Sequence, residues 1–326
     1  MEYRQLGNSG LKISALSLGT MTFGWTADRA TSLKIMSRAV DAGINCLDTA
    51  DIYSRWARGN SGGVAESLIG EWLKGQTRDR LVIATKVRGR MGNGPNERGL
   101  SRAHIFRAAE ASLRRLGTDY IDLYQTHWPD QETPLEETLR ALDDLVHQGK
   151  VRYVGCSNFP AWMVMRWLWI ADRHHLSPMI SLQPHYNLLH RSGFEAEAER
   201  VCREFGLGVL AYSPLAGGFL TGKYERGEPP PPGSRAEESR RLQRYLGNAA
   251  NFKVVDTLAA LGKPRRGSPA QMALAWVLSR PAITSAIVGA SSLRQIEESL
   301  SAADLRLNSE EAAALEAVSA GAAGPT

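Results

Sequence analysis

The chain has 326 residues, 43% of them apolar, and a formal net charge of +5. Its arginines are scattered rather than gathered on a stripe, and no zinc-finger, helix-turn-helix or RNP-like pattern occurs, which argues against nucleic-acid binding. The opening "MEYRQLGNSG" lacks a secretory apolar stretch, and the most apolar segment, "AWMVMRWLWIA", is broken by Arg166 and too short to span a bilayer.

In chain order, "YRQLGNSGLKIS" predicts a hairpin turning at Asn8, Ser9 and Gly10. Eight β-rich runs follow: "ALSLG" (15–19), "INCLD" (44–48), "LVIAT" (81–85), "YIDLYQT" (120–126), "VRYVGC" (151–156), "MISLQ" (179–183), "GVLAY" (208–212) and "TSAIV" (284–288). Segments of helical period separate them. In "PLEETLRALDDLVHQGK", Leu135, Leu139, Leu142 and Val146 recur every three or four residues, with Pro134 expected at the first helical position and Gly149 as the stop. In "SRAHIFRAAEASLRRLG", Ser101 is the expected N-cap and Gly117 the stop. Strands alternating with helices predict a parallel sheet. Eight units of about 30 residues predict an α/β fold, a closed (β/α)8 TIM barrel with an N-terminal hairpin. The chain then reads as one domain, 1–326, and the Pro229–Pro232 run belongs to a long loop after the seventh strand. An open doubly wound sheet is the alternative, but "SLGTMTFGW" does not supply its G-x-G-x-x-G turn.

Three features invite other readings. "GGFLTGKY" nearly completes a P-loop, but Tyr224 stands where a magnesium-binding hydroxyl belongs and "ERGEPPPP" forbids the helix that would follow. His174, His175, His185 and His190 lack metal-ligand spacing and read as solvent-facing side chains, so no metal is expected. Cys46, Cys156 and Cys202 are far apart in apolar or strand-like surroundings, which predicts reduced, buried thiols in a cytoplasmic protein.

In a parallel barrel, catalytic side chains sit at the C-terminal ends of different strands. The second strand ends at Asp48, with Tyr53 in the following loop; the third ends at Lys86 and the fourth at His127. Each alone has a bland reading as a strand exit, a solvated lysine or a structural histidine. All four fall on one rim.

The motifs "LDTADIYS", "ATK", "YQTHWPD", "VGCSNF", "LQPHYN", "LAYSPLAGGFLTGKY" and "IVGASSLRQIEESL" together resemble the aldo-keto reductases over nearly the whole chain. The "GKY…SRA" loop is similar to the bacterial branch related to the potassium-channel β subunits. The resemblance implies a tetrad of Asp48, Tyr53, Lys86 and His127, reducing aldehydes or ketones with NADPH: Tyr53 gives the proton, Lys86 activates it, Asp48 holds Lys86 and His127 orients the carbonyl. It implies that Ser157, Asn158 and Gln183 hold the nicotinamide amide, with Tyr212 stacked on the ring and Gly19, Thr20, Met21 and Asp48 close by. Ser213, Leu215, Gly217, Lys223 and Arg235 would cover the pyrophosphate, and Gly289, Ser291, Gln295 and Glu298 would bind the adenosine end. Ser299 stands where relatives often have Asn, and Arg294 is offset beside Gln295. Trp25, Trp56, Trp128 and Phe159, with Tyr53 and His127, would wall a pocket for a small carbonyl substrate, without nucleic-acid or membrane partners. A nucleotide-sensing regulatory subunit and an idle interaction scaffold remain the competing functions, and the oligomeric state is not read from the sequence.

Overall fold

The computed structural model describes residues 1–231, 234–237 and 239–321. Strands β1 (Tyr3–Gln5) and β2 (Lys12–Ser14) form the expected antiparallel hairpin, with Tyr3 opposite Ser14 and Gln5 opposite Lys12. Ser9 Oγ donates to the Leu6 carbonyl (2.7 Å) and Leu6 N to the Leu11 carbonyl (2.8 Å), which close the turn. Leu6 and Ile13 are fully buried against Cys46, Val82, Leu123 and Leu210, so the hairpin plugs the N-terminal end of a barrel.

The barrel is closed and has eight strands: β3 (Leu16–Gly19), β4 (Cys46–Asp48), β5 (Val82–Val87), β6 (Ile121–Thr126), β7 (Val151–Ser157), β8 (Met179–Gln183), β9 (Gly208–Tyr212) and β10 (Ser285–Gly289). Every neighbouring pair is parallel, and β10 closes on β3 with Gly289 beside Gly19. All eight expected runs are strands of this barrel.

Between β3 and β9 the crossovers are α1 (Arg29–Asp41), α2 (Val64–Leu73), α3 (Arg102–Leu116), α4 (Leu135–His147), α5 (Ala161–His174) and the short pair α6 (Ser192–Glu195) and α7 (Ala198–Glu204). After β9, the chain runs through a tight turn at Ala216–Thr221 into α8 (Arg240–Leu246), α9 (Ala249–Gly262) and α10 (Pro269–Ser279) before β10; α11 (Leu293–Leu300) and α12 (Ser309–Ser319) end the fold. Ser101 caps α3 by accepting from His104 N, and Gly117 ends it in the left-handed region, as expected. Pro134 is a correction: it occupies the N-cap of α4 rather than the first helical position, with ψ of 129°, and its carbonyl accepts from Glu137 and Thr138.

The period of two along each strand places the site. On β4, β5, β6 and β9, the residues in the lower interior layer are Cys46, Ala84, Leu123 and Leu210. Two positions later come Asp48, Lys86, Gln125 and Tyr212, so the layer above is polar and lies at the C-terminal mouth.

Candidate active site

Lys86 is the centre of the mouth. It lies within β5 rather than beyond its end, and its side chain is 0% exposed. Its Nζ donates to Asp48 Oδ1 (2.6 Å), to the Thr49 carbonyl (2.8 Å) and to the Tyr53 hydroxyl (3.1 Å). The ammonium has three donor positions, and these partners account for all three. Burial is the largest influence on Lys86 and opposes its charge, but Asp48 and then Tyr53 outweigh it and hold its pKa above the ordinary lysine value.

The other carboxylate oxygen of Asp48 accepts from Gln183 Nε2 (2.8 Å), which also reaches Gln125 Oε1 (3.4 Å). Asp48 is therefore clamped from both sides. The Tyr53 and His127 rings stand edge to face with centroids 5.8 Å apart, so phenol and imidazole border one space. The His127 pKa falls to about 3, first through burial and then through Lys86 and Arg88, leaving the imidazole neutral and able to donate one N–H. The structure brings Asp48, Tyr53, Lys86 and His127 together.

The residues named for the nicotinamide meet on the adjoining side. Ser157 Oγ donates to the Gln183 carbonyl (2.8 Å), and Asn158 Nδ2 to the His127 carbonyl (2.9 Å). Asn158 has φ of 62°, which turns its side chain back over the mouth. The Tyr212 hydroxyl donates to Asn158 Oδ1 (2.7 Å), and His185 covers one face of the Tyr212 ring with centroids 5.1 Å apart. Gly19 pairs with Asp48 across β3 and β4; the Thr20 hydroxyl is spent on the Asp48 carbonyl (3.0 Å), and Met21 follows on the rim, half-buried.

Beyond β9, Ala216, Gly217 and Gly218 are left-handed in succession, after a left-handed Ser213. Such a turn exposes backbone for close approach by an anion. Lys223 Nζ lies 3.3 Å from where a β-carbon on Gly218 would stand, so a cation covers the turn, while Leu215 is partly buried against the core. No α-helix follows within the described residues up to 231, so this is no P-loop. The side chain of Arg235 lies outside the described residues. At the mouth of β10, Ser291 N and Oγ donate to Gln295 Oε1 (2.8 and 3.1 Å), Ser292 caps α11, and Gly289 and Arg294 are exposed and Glu298 half-buried nearby. Ser299 is buried and donates to the Gln295 carbonyl within its own helix (3.0 Å).

Of the aromatic residues, Trp25 and Trp56 meet edge to face (5.7 Å), and Trp56 touches Tyr53 (6.2 Å). Trp56 and Trp128 are 47% and 44% exposed. Phe159 differs: it is 4% exposed and packs edge-on against Trp167 (5.8 Å). His185 and His190 correct the expectation of solvent-facing histidines. Both are half-buried, and they stack on each other at 4.2 Å because the loop after β8 folds back through paired Asn187–His190 backbone bonds.

Sequence reasoning passes over three buried groups. The Thr49 carbonyl accepts from Lys86, and only the folded turn reveals it. Asp51 is fully buried with neither carboxylate oxygen hydrogen-bonded among the described residues. Glu66, also fully buried, accepts from Thr85 Oγ1 and Arg115 Nε (both 2.6 Å).

A closed parallel barrel with a lysine-centred polar cluster at the C-terminal ends of its strands has the architecture of a barrel enzyme. Residues 15–320 match the aldo/keto reductase family, and the chain belongs to it. It is 39% identical over 317 residues to an uncharacterized oxidoreductase, YrpG, of Bacillus subtilis, covering 95% of this chain and 93% of that one. It is 37% identical over 340 residues to the protein tas of Escherichia coli, covering 98% and 97%. A probable voltage-gated potassium channel subunit beta of Oryza sativa is 37% identical over 314 residues, covering 94% and 92%. The chain is thus an NAD(P)H-dependent oxidoreductase. No described helix is long and apolar enough to cross a membrane.

Proposed function

We propose that the chain reduces aldehydes or ketones to alcohols with NADPH, Tyr53 acting as proton donor. The observation that carries this reading is the buried ammonium of Lys86, held between Asp48 and the Tyr53 hydroxyl. The reduced nicotinamide supplies a hydride when bound. A carbonyl oxygen that receives electron density needs a proton, and a free phenol is a weak acid at neutral pH. An ammonium in contact with the phenol oxygen stabilises the phenolate and so eases proton release. Asp48, fixed by Gln183, keeps Lys86 charged and in place. His127, neutral, offers an N–H to the carbonyl oxygen and fixes its approach.

The cofactor-side residues fit a dinucleotide: Tyr212 with one ring face covered by His185, the left-handed glycine turn under Lys223, and the Ser291–Gln295 pair at the start of α11. NADPH carries an additional 2′-phosphate, and the exposed Arg294 beside that pair favours it. A hydrogen bond to a charged group is worth about 1.5–3 kcal/mol, roughly 10- to 100-fold in affinity. Three free, buried thiols suit a reducing compartment, and we assign the protein to the cytoplasm.

The test is cofactor oxidation against a broad carbonyl panel, with dissociation constants for NADPH and NADH in wild type and Arg294→Ala. The expected result is turnover of aromatic or apolar carbonyls and a preference for NADPH that the variant loses. Equal affinities in wild type would refute the preference. The similarity to a channel β subunit favours a second reading, nucleotide sensing, which NADPH binding without turnover of any carbonyl would support.

A further inference from the structure

Next to the mouth, a cavity of about 540 Å³ opens between the loops after β7 and β8 and helix α8. It begins beside the proposed reaction centre, because Trp128 follows His127 and Asn158 touches both the His127 carbonyl and Tyr212. Phe159, Pro160, Leu182 and Pro184 give it apolar walls. Its charged lining is one-sided: Arg241 and Arg244 face it from α8, and no acidic side chain among the described residues lines it. The two arginines are three residues apart and so share a helix face.

The other polar groups form a layered wall. Tyr212, His185 and His190 stack in order, at 5.1 Å with planes 12° apart and at 4.2 Å with planes 22° apart. Arg241 lies near Tyr212 and opposes the rise that burial gives its pKa, and the Tyr212 hydroxyl donates to Asn158 Oδ1. Burial lowers the pKa of His185 to about 3, helped by His190 and Arg241, and burial and Arg241 lower that of His190. The imidazoles are therefore neutral, and the cavity's positive charge is the permanent charge of two guanidiniums, whose planar forks suit a carboxylate or phosphate.

We infer that this cavity holds an anionic group at the far end of the carbonyl substrate, a carboxylate or phosphate on an apolar or aromatic body. The inference rests on the proposed reductase function and adds a substrate class to it. Trp128 and Phe159 take the body, and Arg241 and Arg244 take the charge.

The test compares 4-formylbenzoate and 4-formylphenyl phosphate with the uncharged methyl 4-formylbenzoate. In wild type, kcat/KM for at least one anion should exceed that for the ester by about tenfold or more, mainly through KM. Which anion wins identifies the natural charge. Arg244→Gln, and Arg241→Gln with Arg244→Gln, should reduce that ratio progressively to near one, while the corresponding lysine variants keep part of it. Calorimetric binding of the same three compounds to the NADP⁺-loaded protein separates this claim from the function it rests on. If nothing is turned over, the reductase reading fails, yet anion-selective binding lost in the double variant still supports the cavity. A wild-type ratio near one, a ratio unchanged in the double variant, or noncompetitive inhibition of ester reduction by benzoate would each overturn the inference.

Discussion

Lys86 shows why a buried charge needs its partners. Without them the ammonium would be neutralised by burial, whereas Asp48 and Tyr53 keep it charged at the centre of the mouth. Asp51, three residues after Asp48, has the opposite balance. Burial raises its pKa from 3.8 to about 8; Glu66 adds to this, and Arg115 and the amides of Ile52 and Arg88 oppose it without offsetting it. The buried hydroxyl of Tyr124 has no hydrogen-bond partner among the described residues, and burial holds its pKa well above the ordinary phenol value. Asp51 is therefore protonated in the native state at neutral pH. An acid whose folded pKa is raised binds a proton in the native state between about pH 4 and 8, where the unfolded chain has lost it, so its contribution to stability falls as pH rises through that window. Asp51→Asn removes this dependence. Urea unfolding of the two proteins should show wild type losing ground to the variant by up to about 1.4 kcal/mol per pH unit between roughly pH 5 and 7.5. A difference that stays flat would mean that Asp51 is ionised in the native state. Asp48 and Tyr53 are legible from sequence because they stand at a strand end and in the loop after it. Asp51, in the same octapeptide, is not, because its burial, and the influence of Glu66 on α2 and Arg115 on α3, arise only when the chain folds.

Two glycines test the packing of the helices behind the site. Gly117 ends α3 at φ of 62°, and its amide donates to the Leu113 carbonyl; a β-carbon there would meet nothing nearer than 4.0 Å. Gly117→Ala should therefore cost only the backbone strain, about 1 kcal/mol. Gly70 lies inside α2, where a β-carbon would stand 2.1 Å from the Arg115 carbonyl at the end of α3. Gly70→Ala must separate the two helices and should cost more, about 1–3 kcal/mol, with loss of the Arg115–Glu66 contact. Melting temperatures of both variants decide the order, and equal losses would contradict the close approach. The α3 boundaries are legible because Ser101 and Gly117 are strong local signals. The turn at Ala216–Thr221 and the reach of α8 over the mouth are not, since left-handed residues and short helices leave no period to count. The stacking of His185 and His190 is hidden for the same reason: their burial depends on α8 and on the loop's backbone pairing.

For the molecule as a whole, eight β-rich runs at regular spacing leave little freedom in topology, because parallel strands need crossovers and a closed sheet leaves no edge exposed. Closure brings Asp48, Lys86 and His127 from three successive strands to one mouth, with the hairpin sealing the other end. In the proposed reaction, the Tyr53 hydroxyl protonates the carbonyl oxygen as it develops alkoxide character. The direct measurement is single-turnover oxidation of bound NADPH by a good carbonyl substrate in wild type and Tyr53→Phe, with NADPH affinity and melting temperature measured on the same samples. Affinity and stability should be unchanged, with hydride transfer slowed by about 10²–10⁴-fold. Hydride transfer in Tyr53→Phe at a rate near that of wild type would contradict the role given to Tyr53.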